Sequence, residues 1–290
     1  MQNVISPEDM ELLNRARNVR QQAQATGISI DEAPVAQPFN ETYIPIDGLP
    51  SKGLFYSGKL MGQPLKVEDM LLIQTINGEN NFKVFGEIFA RRFKGVFLND
   101  ILVCDELYLA LWLRANSYPG NNFPYDSFVC EHCEATVSSG LVDFNFLDMD
   151  FKQPNLTEVF KKFDGRDTAE LTLKGGRVVG YHMRRRKDTM KVMGLLHRDF
   201  YAYGRNPPDS LVQLLHLAVV LDLGTADLME TVTKLQTFTA VEFNSLHNQV
   251  KKYTLSGDPI IEIKCPACKE GSRFSGYSFR PELYFPSDEG

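Results

Sequence analysis

Apolar residues recur at helical spacing over much of the chain, and short alternating runs separate these stretches. The helical period is clear in residues 67–74 and 82–89. Residues 99–113 predict a strongly apolar helix, which proline and glycine end within residues 117–120. Residues 137–146 then alternate between apolar and polar positions. The first half of the chain is therefore predicted to be helical, with a strand at its end.

The second half begins with a different pattern. Residues 171–179 predict a β-hairpin with a two-residue Gly-Gly turn. A helix is predicted over residues 189–201, and residues 210–223 are apolar nearly all round, which predicts a fully buried helix. A capping box at residues 239–242 opens a further helix. We predict a hairpin followed by at least three helices.

The N-terminal stretch is more polar than the rest. Ser6 and Pro7, followed by two acids, are typical of a helix start, and residues 1–28 predict one N-terminal helix. Its apolar face is narrow, so it either docks on another protein or frays in solvent. Residues 29–42 contain prolines and little periodicity, which predicts a linker.

The remaining chain divides at changes of pattern. Residues 43–149 are predicted to form a core helical region, residues 150–259 a hairpin plus helical insertion, and residues 260–290 a C-terminal strand region. Helices and strands that follow one another in separate runs favour an α+β fold, mostly helical with short antiparallel strands.

Composition and charge exclude several classes of protein. The 290 residues are 43% apolar and 23% charged, which is typical of a globular protein with a sizeable core. The formal net charge of -6 argues against nonspecific binding to nucleic acid or to an anionic membrane surface. No apolar run is long enough to cross a bilayer, and residues 1–20 do not resemble a signal peptide.

Two short cysteine pairs carry the strongest chemical signal. They are Cys130-Glu131-His132-Cys133 and Cys265-Pro266-Ala267-Cys268. A two-residue spacer lets one tight turn present two thiolates to a metal, and two such turns complete the tetrahedral site of a structural Zn²⁺. Lys269, Arg273 and the peptide N–H groups of the turns would offset the charge of four thiolates. We predict a zinc-ribbon-like element closed by the two CxxC turns.

Other uses of these cysteines are less well supported. Two disulfides are disfavoured because the chain lacks a secretory signal. A redox pair is disfavoured because neither motif lies in a strand-and-helix context of the thioredoxin type. Four thiolates leave no open position for a catalytic zinc. His132 is an alternative ligand, although a place beside the metal or facing solvent is favoured. Cys104 is predicted to be a buried apolar residue.

The remaining candidate chemistry is sparse. Residues 184–187, Arg-Arg-Arg-Lys, form a charge cluster that would suit nucleic acid or an acidic partner, while a solvated turn is the commoner explanation. His216 lies in the most apolar predicted helix and is interpreted as a core histidine with a hydrogen-bond partner. No phosphate-cradling loop or nucleophile elbow is found in the sequence. We expect no enzymatic activity.

Several sequence blocks of the first half follow an order that belongs to a known family. They are Leu49-Pro50-Ser51-Lys52-Gly53-Leu54-Phe55-Tyr56, Asp105-Glu106-Leu107, Leu113-Arg114-Ala115-Asn116-Ser117-Tyr118 and Cys130-x-x-Cys133. Over residues 44–150 this order resembles the baseplate hub and hub-assembly proteins of T-even-type contractile-tailed bacteriophages. The long segment after residue 150 is not part of the resemblance.

The resemblance implies a late viral protein, a structural or chaperone-like assembly component of the baseplate hub. The implied partners are other hub or tail-tube proteins and the tape-measure protein. The charge and hydropathy of the chain, independently of the resemblance, argue against a membrane or nucleic acid as a partner. The implied location is the host cytoplasm during assembly, or the tail baseplate of the virion. The alternative is a zinc-ribbon nucleic-acid-binding or transcription-type factor, for which a continuous basic face beside the metal would be the sign.

Overall fold

The computed structural model of the protein describes residues 42–76, 81–118, 122–125, 127–143, 150–151, 156–257 and 259–274. The predicted N-terminal helix and all but the last residue of the predicted linker lie outside these ranges, as do the last residues of the chain. Within them, no helix is both long enough and apolar enough to cross a membrane.

Eight α-helices lie in the described ranges. They are α1 (Val67–Ile73), α2 (Asn81–Arg92), α3 (Val103–Ser117), α4 (Leu156–Phe163), α5 (Arg186–Asp199), α6 (Asp209–Ala218), α7 (Leu228–Gln236) and α8 (Ala240–Tyr253). A 3₁₀ turn at Leu98–Asp100 precedes α3, and another at Tyr201–Tyr203 follows α5.

The strands are short, and every pairing among them is antiparallel. They are β1 (Ile44–Pro45), β2 (Met61–Gly62), β3 (Phe93–Lys94), β4 (Asn122–Tyr125), β5 (Phe128–Val129), β6 (Thr136–Val137), β7 (Gly140–Asp143), β8 (Asp150–Phe151), β9 (Thr168–Thr172), β10 (Val178–His182), β11 (Leu221–Asp222), β12 (Pro259–Lys264) and β13 (Gly271–Phe274). The prediction of mixed helix and short antiparallel strand is confirmed.

The strands form small separate sheets. Three have three strands each, in the orders β1-β2-β3, β11-β10-β9 and β13-β12-β8, and two are the pairs β4-β7 and β5-β6. Strand β8 pairs with the start of β12, so residues on either side of the long helical segment meet in one sheet.

Two hydrophobic clusters fill the interior of the described fold. The first surrounds α2 and α3, where Ile88, Leu109 and Leu113 are completely buried. Helix α3 is apolar on nearly all sides because neighbours cover it on nearly all sides. The second cluster joins α4 through α8 to the β9-β10 hairpin, with Val192 and Leu246 completely buried. Residues 150–259 therefore contribute most of a core distinct from the first.

Backbone hydrogen bonds and ion pairs join the two clusters where residues 101–103 meet residues 184–186, a contact that we call the seam. Residues 101–103 run antiparallel to residues 184–186, with Leu102 bridged to Arg185. The N–H of Val103 donates to the carbonyl of residue 184 over 3.0 Å, and the N–H of Arg186 donates to that of residue 101 over 2.8 Å. This short ladder fixes the start of α5 against the start of α3.

The basic cluster at residues 184–187 is built into this seam. Arg186 is 3% exposed, lies over the Phe82 ring, and donates to the Glu106 carboxylate over 2.7 Å. Lys187 donates to Asp100 over 2.8 Å, and Arg185 pairs with an acid as well. The interpretation of this cluster as a solvated turn is therefore wrong, because acids and aromatic rings from other elements surround it.

A second buried polar centre holds two of the sequence blocks together. Asp105 is completely buried and accepts hydrogen bonds from the N–H and hydroxyl of Ser51, at 2.9 and 2.6 Å, and from the Tyr56 hydroxyl at 2.6 Å. Tyr56 in turn accepts from the N–H of Leu102. Burial raises the pKa of Asp105, while these hydrogen bonds oppose that rise. The turn at residues 49–56 is thereby fastened to α3.

Three local predictions differ from the structure. The helix expected over residues 210–223 ends at Ala218 and exposes part of one face, because the next residues form β11 against β10. The β9-β10 loop has three residues, 174–176, since Leu173 pairs with Arg177 through a 2.8 Å hydrogen bond. Helix α3 starts at Val103, after the extended residues of the seam.

Replacing Arg186 should destabilise the fold strongly. Arg186→Ala leaves Glu106, 19% exposed, without its partner, and we expect a loss of about 3 kcal/mol in the free energy of unfolding. Arg198→Ala is the matched control, because Arg198 is 71% exposed and an ion pair in solvent, such as its pair with Asp199, contributes little to stability. Denaturant unfolding measures both, and equal losses would contradict the role given to the seam.

Candidate metal centre

The first CxxC turn is the tip of one long hairpin. Strands β5 and β6 pair Val129 with Thr136, and strands β4 and β7 pair Tyr125 with Gly140. The register is the same in both pairs, so the two short sheets are successive parts of a single antiparallel hairpin. The turn at residues 130–135 therefore lies at the end of a two-stranded arm.

The second CxxC turn is the tip of another hairpin. Strands β12 and β13 pair Lys264 with Gly271, and the turn at residues 265–270 lies between them. In both hairpins, the residue just before the first cysteine pairs with the residue six positions after that cysteine. Both hairpins thus present their cysteines at equivalent positions.

The two turns also share their internal hydrogen bonds. In the first, the N–H of Cys130 donates to the carbonyl of Ala135 over 2.9 Å, and the N–H of Glu134 donates to that of Cys130 over 3.0 Å. The second turn repeats the pattern with Cys265 N–H to Glu270 at 2.9 Å and Lys269 N–H to Cys265 at 2.8 Å. Two different sequences therefore fold into the same turn.

One residue in each turn has a left-handed backbone. Glu134 has φ 58° and Lys269 has φ 64°, and each follows the second cysteine of its motif. Such a conformation costs roughly 1 kcal/mol for a residue with a Cβ, and glycine or asparagine is the usual choice. Neither turn has one at this position, so sequence reasoning had no signal by which to find these two residues.

The four cysteine sulfurs of the two turns lie together. The Sγ atoms of Cys130 and Cys268 are 3.7 Å apart, and so are those of Cys133 and Cys265. All four lie within 4.8 Å of one another. Four sulfurs about 2.3 Å from a central ion would be separated by about 3.8 Å, whereas a disulfide has a bond of about 2.05 Å. The spacing fits ligands around a metal ion, and none of the four is in a disulfide.

The first cysteine of each pair is more deeply buried than the second. Cys130 and Cys265, the first of each pair, are 1% exposed and pack with Val137. Cys133 is exposed and Cys268 is half-buried. The site is therefore anchored in a small hydrophobic cluster and opens towards solvent on the other side.

The electrostatics of the site favour a cation among the sulfurs. The N–H groups of Ala135 and Glu270 donate to the sulfurs of Cys133 and Cys268, which lowers their pKa. Burial and the neighbouring sulfurs outweigh this effect, and the pKa of Cys268 rises to about 12. Thiolates this close repel one another, so a positive ion is the natural means of keeping all four ionised.

The other residues predicted around the site have separate places. The Nε2 atom of His132 lies 3.2 Å from the carbonyl of Gly271, so this histidine bridges the two hairpins outside the sulfur cluster. Lys269 is exposed, and the side chain of Arg273 is not among those described. Cys104 is 7% exposed and lies next to Asp105, away from the cluster. His216 is half-buried, outside the core, and it accepts a 2.8 Å hydrogen bond from Arg184, so only the predicted hydrogen-bond partner is confirmed.

Gly257, just before the second hairpin, packs closely against the start of α3. A Cβ at Gly257 would lie 2.6 Å from the carbonyl oxygen of Cys104, so only glycine fits against α3 there. Leu255 is buried in the second cluster just before it. This close approach places the chain against the start of α3 two residues before β12 begins.

No protein-family model matches the chain, and comparisons with curated proteins and with solved structures find no match. The chemistry of the site is therefore argued from its own residues.

Loss of one sulfur should affect the protein far more than loss of the isolated thiol. Cys265→Ser removes a buried ligand, and we expect loss of bound metal together with a fall of several kcal/mol in unfolding free energy. Cys104→Ser is the control, because its thiol is buried outside the cluster, and it should retain the metal. Metal content and thermal unfolding measure both variants. A Cys265→Ser protein with full metal content would contradict the shared site.

Proposed function

We propose that the four cysteines bind one structural Zn²⁺ and that the two hairpins together form a zinc ribbon. The spacing of the sulfurs carries this proposal, since it matches the edges of a tetrahedron around an ion of that size. Thiolate ligands select soft or borderline metals, and a four-thiolate tetrahedral set suits zinc or iron. Zinc is favoured because it supports a fixed fold without redox chemistry.

The identity of the metal is open to direct measurement. Purified protein should contain one zinc per chain by elemental analysis, and a strong chelator that removes it should lower the free energy of unfolding by several kcal/mol. The physical reason is that binding by four thiolates contributes about 10–16 kcal/mol in small zinc peptides, which is comparable to the stability of a whole domain. A protein that contains iron, or whose unfolding transition is unchanged after complete metal removal, would contradict the proposal.

We further propose that the protein is a structural or assembly component of the baseplate hub of a contractile phage tail. The partners would be other hub or tail-tube proteins and the tape-measure protein. A closed metal site with four protein ligands suits a scaffold, because no position is left for a substrate. The sulfur cluster is the observation on which this non-catalytic role depends.

The resemblance that suggests the viral role gains support from contacts between its blocks. Ser51 and Tyr56 of the first block bond to Asp105, which opens the second block. Leu113, which opens the third, is completely buried in the same core. Residues of different blocks thus contact one another or lie in the same core, as expected if the blocks belong to one structural unit.

The alternative, a nucleic-acid-binding zinc ribbon, is less well supported by the charges. The exposed residues of the two turns include Glu131, Glu134 and Glu270 against Lys264 and Lys269, which is not a continuous basic face. The basic cluster at residues 184–187, proposed as the contact in that alternative, makes its bonds within the protein. Phosphate binding requires cations that face solvent without such partners.

Affinity capture in host cells infected with the virus that encodes the protein tests the assembly role. The tagged chain should copurify with tail-tube, tape-measure or baseplate proteins identified by mass spectrometry, and nuclease treatment should leave this set unchanged. Cys265→Ser is the matched control, because loss of the metal should remove those partners. Recovery of transcription proteins that nuclease releases would favour the alternative and contradict the assembly role.

A further inference from the structure

Among the described residues, no other element covers the outward face of helix α5, which carries two methionines. With 3.6 residues per turn, Met190, Met193 and His197 lie in one stripe along the helix. Val192 and Leu196 lie on the opposite side and are buried in the second hydrophobic cluster. The helix is therefore held by one face, and the other face is directed away from its own core.

The exposed face carries large side chains. Met190 is 49% exposed and Met193 is 46% exposed, and two tyrosines follow in the 3₁₀ turn, Tyr201 at 44% and Tyr203 at 71%. Gly194 lies beside the stripe, and a Cβ built there meets nothing within 4 Å. Open space next to the methionines lets another backbone approach closely. We call Met190, Met193 and Gly194 the α5 face, and the two tyrosines follow it in the chain.

Cations border the α5 face. Lys187, Lys191 and Arg198 project from the same flank of the helix, next to the methionine stripe. Asp100 balances the charge of Lys187, and Asp199 balances that of Arg198. Lys191, in contrast, donates to the carbonyl of residue 226 and forms no ion pair with the acids that the structure describes.

The charge excess continues past the end of the helix. Arg205 donates to the carbonyl of Asp199 and lies over the rings of Phe200 and Tyr203. Its charge is likewise not neutralised by these contacts. Lys187, Lys191, Arg198 and Arg205 are set against three acids, Asp100, Asp199 and Asp227, so the border of the α5 face has a small positive excess, although the whole chain has a formal net charge of -6.

We propose that the α5 face is a docking surface for an acidic amphipathic helix of a partner protein. Methionine, tyrosine and arginine are enriched in the centres of protein interfaces, and methionine adapts to varied apolar partners. Carboxylates beside the partner's apolar stripe would lie over the cationic flank. A membrane is disfavoured as the occupant, because helices that bind membranes present tryptophan, phenylalanine and leucine. The proposal is independent of the metal and of the viral role.

A matched pair of peptides tests the proposal on the full-length protein. Each is a fluorescent designed helix of about 18 residues, long enough to be helical in water, with leucines on one stripe and either glutamates or lysines beside them. The glutamate peptide should bind saturably by anisotropy and weaken with added salt, and the lysine peptide should not bind. Absence of glutamate-peptide binding, or preference for the lysine peptide, would overturn the proposal.

Variants locate the binding on the protein. Met193→Glu and Lys191→Glu should each weaken the glutamate peptide at least about tenfold, because each adds a like charge under the partner. Met229→Glu is the control, since Met229 is similarly exposed, at 42%, but lies on α7. Unchanged thermal unfolding shows that each variant is folded. Equal binding by Met193→Glu and wild type would overturn the proposal.

Two further measurements exclude other occupants. Sedimentation that shows dimers lost in Met193→Glu would identify a second copy as the occupant. Flotation with anionic vesicles that is lost in the same variant would identify a membrane. Either result would overturn the proposal, and a monomer that does not bind vesicles supports it.

Discussion

The structure depends on two hairpin tips meeting at one point although they are far apart in sequence. The Sγ atoms of Cys133 and Cys265 are in contact although 132 positions separate the residues. Closing a loop of that length costs about 4 kcal/mol or more in chain entropy, which is less than the about 10–16 kcal/mol available from a four-thiolate zinc site. The ion would therefore have enough binding energy to hold the hairpins together, and β8 against β12 supports the same closure.

The segment between the cysteine pairs does not rely on the site alone. It has a hydrophobic cluster of its own, and the seam at residues 101–103 and 184–186 attaches that cluster to α3. Burying Arg186 and Asp105 costs desolvation free energy. The ion pair of Arg186 with Glu106 and the hydrogen bonds accepted by Asp105 offset this cost only if their geometry is kept. These buried charges thus fix how the two clusters meet, whereas apolar contacts alone would tolerate several arrangements.

The distribution of charge separates structural residues from surface residues. The cations at residues 184–186 are used inside the fold, each in contact with an acid, a ring or a histidine. Those farther along α5 face solvent beside exposed methionines. The cations of this region therefore lie in two environments, inside the fold or at the surface. The direction in which each side chain projects decides its environment.

The sequence by itself determined the local chemistry: the CxxC spacing, the capping box at residues 239–242, the helical periods and the mixture of helix with short strand. These follow from neighbours in the chain, so local spacing is sufficient. The two CxxC motifs also predicted that all four sulfurs share one site, and the structure places them together. The tertiary structure decided that residues 184–186 form a seam, and that residues 221–222 leave the predicted helix to pair with β10. Each of those outcomes depends on partners distant in sequence, which local patterns do not specify.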